Sequence, residues 1–313
     1  MSRFLLVSVL MPAYNAEDFI REAIKSILNQ THENWELLVL NDASTDNTKS
    51  IVESFSDDRI QIFEHDINQG YLISCNELFK KSKGDFITFL DADDTCPANR
   101  LSKCLEKFES KPKLDFLTTD YIRTNSSGKT ISEHSLHVDY ERYINDPGYS
   151  PIICCATIFL RRSLYEKVDG YHPIFKDLGG EDYHWLWQLS LNGMGAHFNE
   201  QLYCYRQHNE QVHVTNSNPL KLFTMDILKE IRVKNLSNEE LTKEASSLNS
   251  KWKNFVNNNP AFVELRRSTE ALNRKQHEKF WKHWFNALWL KPLSVSKFKQ
   301  CTYLLYSFSA RIA

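Results

Sequence analysis

Three apolar runs stand out in the first ninety residues: Phe4-Leu5-Leu6-Val7-Ser8-Val9-Leu10-Met11, Trp35-Glu36-Leu37-Leu38-Val39-Leu40 and Asp85-Phe86-Ile87-Thr88-Phe89-Leu90. Segments of this length, apolar on both faces, predict strands buried between layers of helix. Between the first two, Glu17–Asn29 places Phe19, Ile20, Ala23, Ile24, Ile27 and Leu28 on one stripe at three- and four-residue spacing, the mark of an amphipathic helix. Asn15 is a candidate cap, and Glu17 and Asp18 suit the positive end of the helix. Residues 46–55 and 69–81 predict two further helices, and 59–63 a short alternating strand. Strand and helix alternating in this way imply right-handed crossovers and a mostly parallel sheet.

The next stretch is more mixed. A helix is expected over 97–110, a strand over 115–121, a turn at Asn125-Ser126-Ser127-Gly128 and a strand over 156–160. A helix over 182–191 ends near Gly193, and 196–198 and 202–205 predict two closing strands. Beyond about residue 218 the pattern turns helical, with helices at 251–258 and 261–274 parted at Pro260. The expected organisation is a domain over 1–217 and a helical region over 218–313, which serves as a cap or docks on a partner or membrane.

Composition narrows the function. The 313 residues are 42% hydrophobic and 25% charged, an ordinary globular mix. The net charge of -2 argues against a nucleic-acid binder. No apolar run reaches the ~20 residues that span a bilayer. Seven scattered Cys without a C-x-x-C pair suggest reduced thiols rather than zinc or a disulfide framework. The short apolar run at the start lacks a cleavage site and reads as a strand, not a leader. A cytoplasmic protein is expected.

Chemistry concentrates where the strands end. Asp91-Ala92-Asp93-Asp94 puts three carboxylates directly after an apolar strand, and open α/β sheets bind ligands beyond such ends. Crowded carboxylates invite a hard cation, and Mg²⁺ is usually held by one or two of them plus phosphate oxygens. An acidic surface turn has the same sequence. Pro12-Ala13-Tyr14-Asn15 and Asn41-Asp42-Ala43-Ser44-Thr45-Asp46 end two neighbouring strands, offering an aromatic face, an amide and a carboxylate. Taken singly, Asn15 and Asp42 are also a helix cap and a turn residue. Glu181-Asp182 is equally a candidate base and a common acidic pair at a helix start.

Taken in order, these motifs resemble the family-2-type glycosyltransferases, inverting enzymes of the GT-A fold. The resemblance rests on Val9-Leu10-Met11-Pro12-Ala13-Tyr14-Asn15, Asn41 to Asp46, Asn68-Gln69-Gly70 with Asn76, Gly84-Asp85, and Leu90 to Asp94. Gly179-Gly180-Glu181-Asp182 and Tyr205-Arg206-Gln207-His208 follow, so that it covers residues 4 to about 215. It implies a Rossmann-like, mostly parallel central sheet flanked by helices, followed by an α-helical C-terminal region. It also implies a nucleotide-sugar donor, a UDP-sugar for preference, and a saccharide or lipid-linked saccharide acceptor in surface-polysaccharide synthesis. Nucleotide contacts would fall to Pro12, Tyr14, Asn15, Asp42, Asn68, Gly70, Asn76, Asp91 and Arg206. A divalent metal, Mn²⁺ or Mg²⁺, would fall to Asp93, Asp91, Asp94 and His208, with His213 a weaker candidate. Asp182 would be the general base, beside Glu181. Two positions depart from the pattern: Ser74-Cys75 stand where an Ala-Arg is common before the Asn, and Gln188 lies near the place of an Arg common on the helix after Glu-Asp.

Two rival readings exist. Asp91-Ala92-Asp93-Asp94-Thr95 also resembles the D-x-D-x-T of haloacid-dehalogenase-type phosphatases, where the first Asp is a nucleophile. A non-catalytic nucleotide or sugar binder could keep the same fold. The tail is distinct in charge. Residues 274–313 hold eight Lys/Arg and one acidic residue, net +7, which leaves -9 on 1–273. Aromatics interleave with lysines from Phe280 to Lys291, a composition suited to peripheral contact with the inner face of a membrane, and equally to helix packing.

Overall fold

The computed structural model describes residues 5–176, 178–208, 219–273 and 276–290. His213 and 291–313 therefore lie outside the described residues, as do Phe4, Arg274 and Lys275. Contacts divide the chain into two compact units: residues up to Lys176 with Gly180–Asn216, and Asp177–Gly179 with the chain from Ser217 onward.

The first unit is built on β1 (Val7–Ala13), β2 (Trp35–Asn41), β3 (Ile60–Glu64) and β4 (Phe86–Phe89), with α1 (Ile20–Leu28), α2 (Thr48–Glu53), α3 (Tyr71–Lys81) and α4 (Arg100–Ser110) between and after them. Every residue of β1, β2 and β4 is buried, as runs apolar on both faces require. The order β3-β2-β1-β4 is parallel throughout. From α1, Ile20, Ala23, Ile24 and Ile27 enter the core. The three isoleucines contribute roughly 5–9 kcal/mol of burial. Two polar residues accompany the strands inward. Ser8 Oγ donates to Glu36 Oε1 at 2.6 Å and accepts from the Gly84 N–H at 2.8 Å, which fixes the approach to β4.

Helix α1 begins later than its pattern predicts. Phe19 occupies the cap position without a side-chain cap, so Asn15 does not cap the helix. Asn15 adopts left-handed backbone, φ 47°; its N–H donates to Ser44 Oγ, and its Oδ1 accepts from the Thr45 N–H at 2.9 Å. The amide finds its partner across the sheet edge rather than along its own helix.

The second half of the unit adds β5 (Phe116–Asn125), β6 (Thr130–His134), α5 (Tyr140–Asn145), β7 (Phe159–Arg161), α6 (Arg162–Val168), α7 (Glu181–Asn192) and β8 (Gly195–Gln207). Among the described residues the sheet has eight strands, ordered β3-β2-β1-β4-β7-β5-β6, with β8 alongside β5. The two expected closing strands are one. Register shifts around Asp120 let β8 run parallel to β5 through the polar Asn199-Glu200-Gln201 interval that suggested a break. The strand expected over 156–160 shrinks to β7, because Thr157 Oγ1 turns back to the Cys154 carbonyl and closes a 3₁₀ turn at Cys155–Thr157.

The described part of the second unit is helical: a 3₁₀ turn at Pro219–Phe223, then α8 (Thr224–Lys234), α9 (Asn238–Asn258), α10 (Pro260–Asn273) and α11 (His277–Leu290). Helix α9 starts thirteen residues ahead of the expected position, at a capping box in which Ser237 and Glu240 satisfy each other's backbone N–H. Pro260 begins α10, where its missing N–H costs no bond. No helix among the described residues is long and apolar enough to cross a membrane. The six described cysteines are all free.

Candidate active site

Three strand ends and one helix start assemble the site within the first unit. Pairing of β1 with β4 stops at Leu10–Phe89, so β1 continues past its neighbour while the chain after β4 turns away. Buried Pro12 and half-exposed Tyr14 lie on this overhang, Tyr14 being 49% accessible. The end of β2 is stitched to it. Ala16 N–H donates to Thr48 Oγ1 at 2.8 Å and Glu17 N–H to Asp46 Oδ2 at 3.0 Å. Ala43 joins Asn15 in left-handed backbone, φ 56°, a conformation that costs a Cβ-bearing residue and often marks functional loops.

Asp42 is buried yet well supplied with donors. Oδ1 accepts from the Gln69 N–H at 2.8 Å and faces His65 Nδ1 at 2.7 Å; Oδ2 accepts from the Gly70 N–H at 2.7 Å. Gly70 makes this possible with φ 91°. His65 Nε2 in turn faces Glu77 Oε2 at 2.9 Å. Desolvation opposes the charged imidazole, but its hydrogen bonds to Asp42 and Glu77 outweigh that and hold the His65 pKa above its ordinary value. Asn68 stands exposed on the same loop.

The acidic turn divides into outward and inward members. Asp91 and Asp93 are partly exposed, whereas Asp94 is 1% exposed. Both Asp94 oxygens have partners within the chain, the Tyr203 hydroxyl at 2.7 Å and the Arg206 N–H at 2.6 Å. Tyr203 Oη also accepts from the Asp91 N–H at 3.2 Å, and Tyr71 donates to Asp91 Oδ1 at 3.1 Å. Asp93 Oδ2 faces His208 Nε2 at 2.9 Å. Desolvation, then the Asp93 carboxylate, push the Asp91 pKa up to about 7 against the opposing hydrogen bond from Tyr71; Asp182 adds to the rise. Desolvation, then the Asp93 and Asp91 carboxylates, raise Asp94 well above the usual carboxylate range. Carboxylates that oppose one another's ionisation form a donor set suited to a cation. No group of three or more His, Cys, Asp and Glu among the described residues is itself arranged to hold an ion.

Asp182 sits in the first turn of α7, after Gly180 in left-handed backbone, φ 83°. Its Oδ1 accepts from the Tyr183 N–H at 2.8 Å, and the Cys155 thiol approaches it. Desolvation raises its pKa despite those donors. Glu181 precedes it, also partly exposed.

Two other expected site residues have extensive internal bonding. Asn76 clamps the Tyr171 backbone, Nδ2 to its carbonyl and Oδ1 from its N–H, both at 2.8 Å. Arg206 is buried and threads its guanidinium between the Asp93 carbonyl, the Ser126 carbonyl and Glu22, at 2.8, 2.7 and 2.6 Å. Residues with no sequence motif also enter the site: His65, Glu77, Tyr71, Tyr203 and Cys155. The readable pattern lay in the carboxylates they attend: His65 at Asp42, Tyr71 at Asp91, Tyr203 at Asp91 and Asp94, and Cys155 at Asp182.

The profile described as Glycosyl transferase family 2 matches residues 8–169, just over half of the chain and the span that carries β1 through α6. The chain belongs to glycosyl transferase family 2. As a glycosyltransferase it resembles the UDP-Glc:alpha-D-GlcNAc-diphosphoundecaprenol beta-1,3-glucosyltransferase WfgD of Escherichia coli, 36% identical over 195 residues, which is 61% of this chain and 72% of that one. Its fold is that of S. aureus TarS 1-349 in complex with UDP-GlcNAc, with a TM-score of 0.61 and 20% identity over 90% of both chains. The mannosyltransferase PcManGT from Pyrobaculum calidifontis, in complex with GDP-Man and Mn2+, shares it at a TM-score of 0.55 and 16% identity, over 97% of this chain and 79% of that one. The GT-A fold expected from the motifs is therefore present. The phosphatase reading of Asp91 is not favoured: this glycosyltransferase carries Asp91 after its fourth strand, within the matched span.

Proposed function

We propose that the chain transfers a sugar from a UDP-sugar to a hydroxyl of a lipid-linked saccharide, with inversion, in the assembly of a surface polysaccharide. The observation that carries this reading is that Asp42 and Asp91 follow parallel strands β2 and β4 on one edge of the sheet, with Asp93 in the same turn as Asp91 and Asp182 near enough to act on the Asp91 carboxyl. The donor named for the Escherichia coli relative and its diphosphoundecaprenol acceptor support the choice of substrates.

In this reading the Tyr14 ring and the Pro12–Asn15 overhang take the face of the base. Asp42, anchored by the 65–70 loop with Asn68 and Gly70, accepts an N–H from its edge. Asp91 meets the ribose. Asp93 and His208 fit a divalent cation, Mn²⁺ or Mg²⁺, as an oxygen and a nitrogen donor, with diphosphate oxygens completing the set. When bound, such an ion supplies Lewis-acid stabilisation of the charge that grows on the β-phosphate. Asp94 and Arg206 keep the Asp93 and His208 segments in register, and Asn76 holds the 171 backbone.

Asp182 takes the proton of the acceptor hydroxyl as its oxygen bonds to the anomeric carbon. The bond from that carbon to the β-phosphate oxygen breaks, and nucleoside diphosphate leaves from the opposite face. One displacement inverts the centre and needs no protein nucleophile. Glu181 lends further negative charge beside the base. The domain division at 217/218 is retained in this proposal, with peripheral contact at the inner membrane face where a lipid-linked acceptor lies.

Transfer of labelled sugar from UDP-, GDP- and dTDP-sugars to a lipid-diphosphate GlcNAc acceptor tests the reading. Transfer from a UDP-sugar with an inverted linkage is expected. Transfer with retention, or full activity of Asp182→Asn, overturns it.

A further inference from the structure

The last described helix, α11, has two unlike faces. Phe280 and Ala287 are buried, and with Trp284 they pack against Phe262, Leu265 and Ala271 of α10. Around the helix from them stand Trp281, Phe285 and Trp289, spaced by four residues and so aligned on one stripe. They are 37%, 59% and 92% exposed, and Leu290, beside the stripe at the helix end, is 46% exposed. A Trp that is almost wholly accessible does nothing for the packing of its own unit. Single exposed apolar residues need no explanation, but three aromatics in register do.

Charge selects the occupant. Lys279 and Lys282 are exposed on the same helix, and Glu278 is the acidic residue of the whole 274–313 segment, which carries net +7. A second copy of the chain would set Lys279 and Lys282 against the same lysines. An anionic surface complements them. Tryptophan and phenylalanine on one side with lysines at the flank is the arrangement of helices that lie in the headgroup layer of a bilayer, rings in the acyl boundary and ammonium groups at the phosphates. The helix has 14 residues and lies flat in this arrangement, since no described helix is able to span.

We infer that the Trp281–Phe285–Trp289 face of α11 is a docking surface for anionic phospholipid bilayer, with Lys279 and Lys282 contacting lipid phosphates. This docking face rests on the peripheral membrane contact proposed above; flotation reads the face and labelled-sugar transfer reads the proposed chemistry, so the two fail separately.

Flotation of the full chain with phosphatidylglycerol/phosphatidylcholine vesicles, and with phosphatidylcholine vesicles alone, tests it. The wild type is expected to float with the anionic vesicles and to be released by salt. Trp281→Ala/Phe285→Ala/Trp289→Ala and, separately, Lys279→Glu/Lys282→Glu should each weaken that binding by about tenfold or more. Both variants change exposed residues; circular-dichroism melts matching the wild type confirm that they are folded. A wild type that stays in the soluble fraction, or an aromatic variant that floats as well as the wild type, overturns the inference. So does light scattering that shows a wild-type dimer converted to monomer by the aromatic substitutions, because the face would then be a self-association surface.

Discussion

His65 Nδ1 lies 2.7 Å from Asp42 Oδ1 while its Nε2 lies 2.9 Å from Glu77 Oε2. With a carboxylate oxygen at each ring nitrogen, only the imidazolium satisfies both partners, since neutral imidazole has one N–H. The pair therefore ties the proposed base-binding carboxylate to α3 through a charge that depends on pH.

The sign follows from the raised pKa of His65. The stabilising charge is fully present below the ordinary histidine value of about 6.5 and is lost as pH rises through the higher folded value. The donor KM should rise over that window with little change in kcat. His65→Asn should raise KM by roughly three- to tenfold, the loss of about 1 kcal/mol, and flatten its pH dependence. Steady-state kinetics across pH check this; an unchanged profile in His65→Asn removes His65 from donor positioning.

Replacing Asp182 by Asn should lower kcat by about 10²–10⁴ while leaving donor affinity within a factor of about two. Asp182 acts as a base only when ionised, and desolvation raises its pKa. Wild-type activity should accordingly fall as pH drops through a value above the ordinary Asp pKa of about 3.9. Calorimetric donor titration beside the pH–rate profile separates binding from chemistry.

Chelation of divalent ions should abolish transfer, and added Mn²⁺ or Mg²⁺ should restore it. Asp93→Asn should raise the ion concentration for half-maximal rate by about tenfold or more, because removing one carboxylate from a set of few protein donors is costly. His208→Ala should act in the same direction. Equal ion dependence in wild type and Asp93→Asn argues against Asp93 as a ligand.

Arg206→Met should destabilise the first unit by about 2–4 kcal/mol, measured by urea unfolding. Its pair with Glu22 contributes little, since the Glu22 side chain is 62% exposed. The loss comes from the Asp93 and Ser126 carbonyls, left without a buried donor. Arg206→Lys should recover only part, because one ammonium cannot reach three diverging acceptors.

Periodicity alone made the βα half of the fold readable. Apolar runs at β1, β2 and β4 and the stripe on α1 follow from burial, which acts on local pattern. The same reading stopped short at β8, where a bulge near Asp120 keeps one strand continuous through a polar interval. It also missed α5 and α6, which are too short to show a period. Asp42, Asp91, Asp93 and Asp182 were visible because they stand at strand ends or a helix start, in ordered motifs.

What the sequence by itself determined is therefore the layered sheet, the family and the positions of the outward carboxylates, since each depends on residues near one another in the chain. Tertiary structure alone decided how those carboxylates are held. His65 reaches Asp42 from 23 positions away, Tyr203 reaches Asp94 from 109, and Arg206 reaches Glu22 from 184. It also decided which aromatics of α11 are packed and which face outward. Such pairings are made by the crossing of strands and helices, and buried polar groups accept whichever partner that crossing supplies.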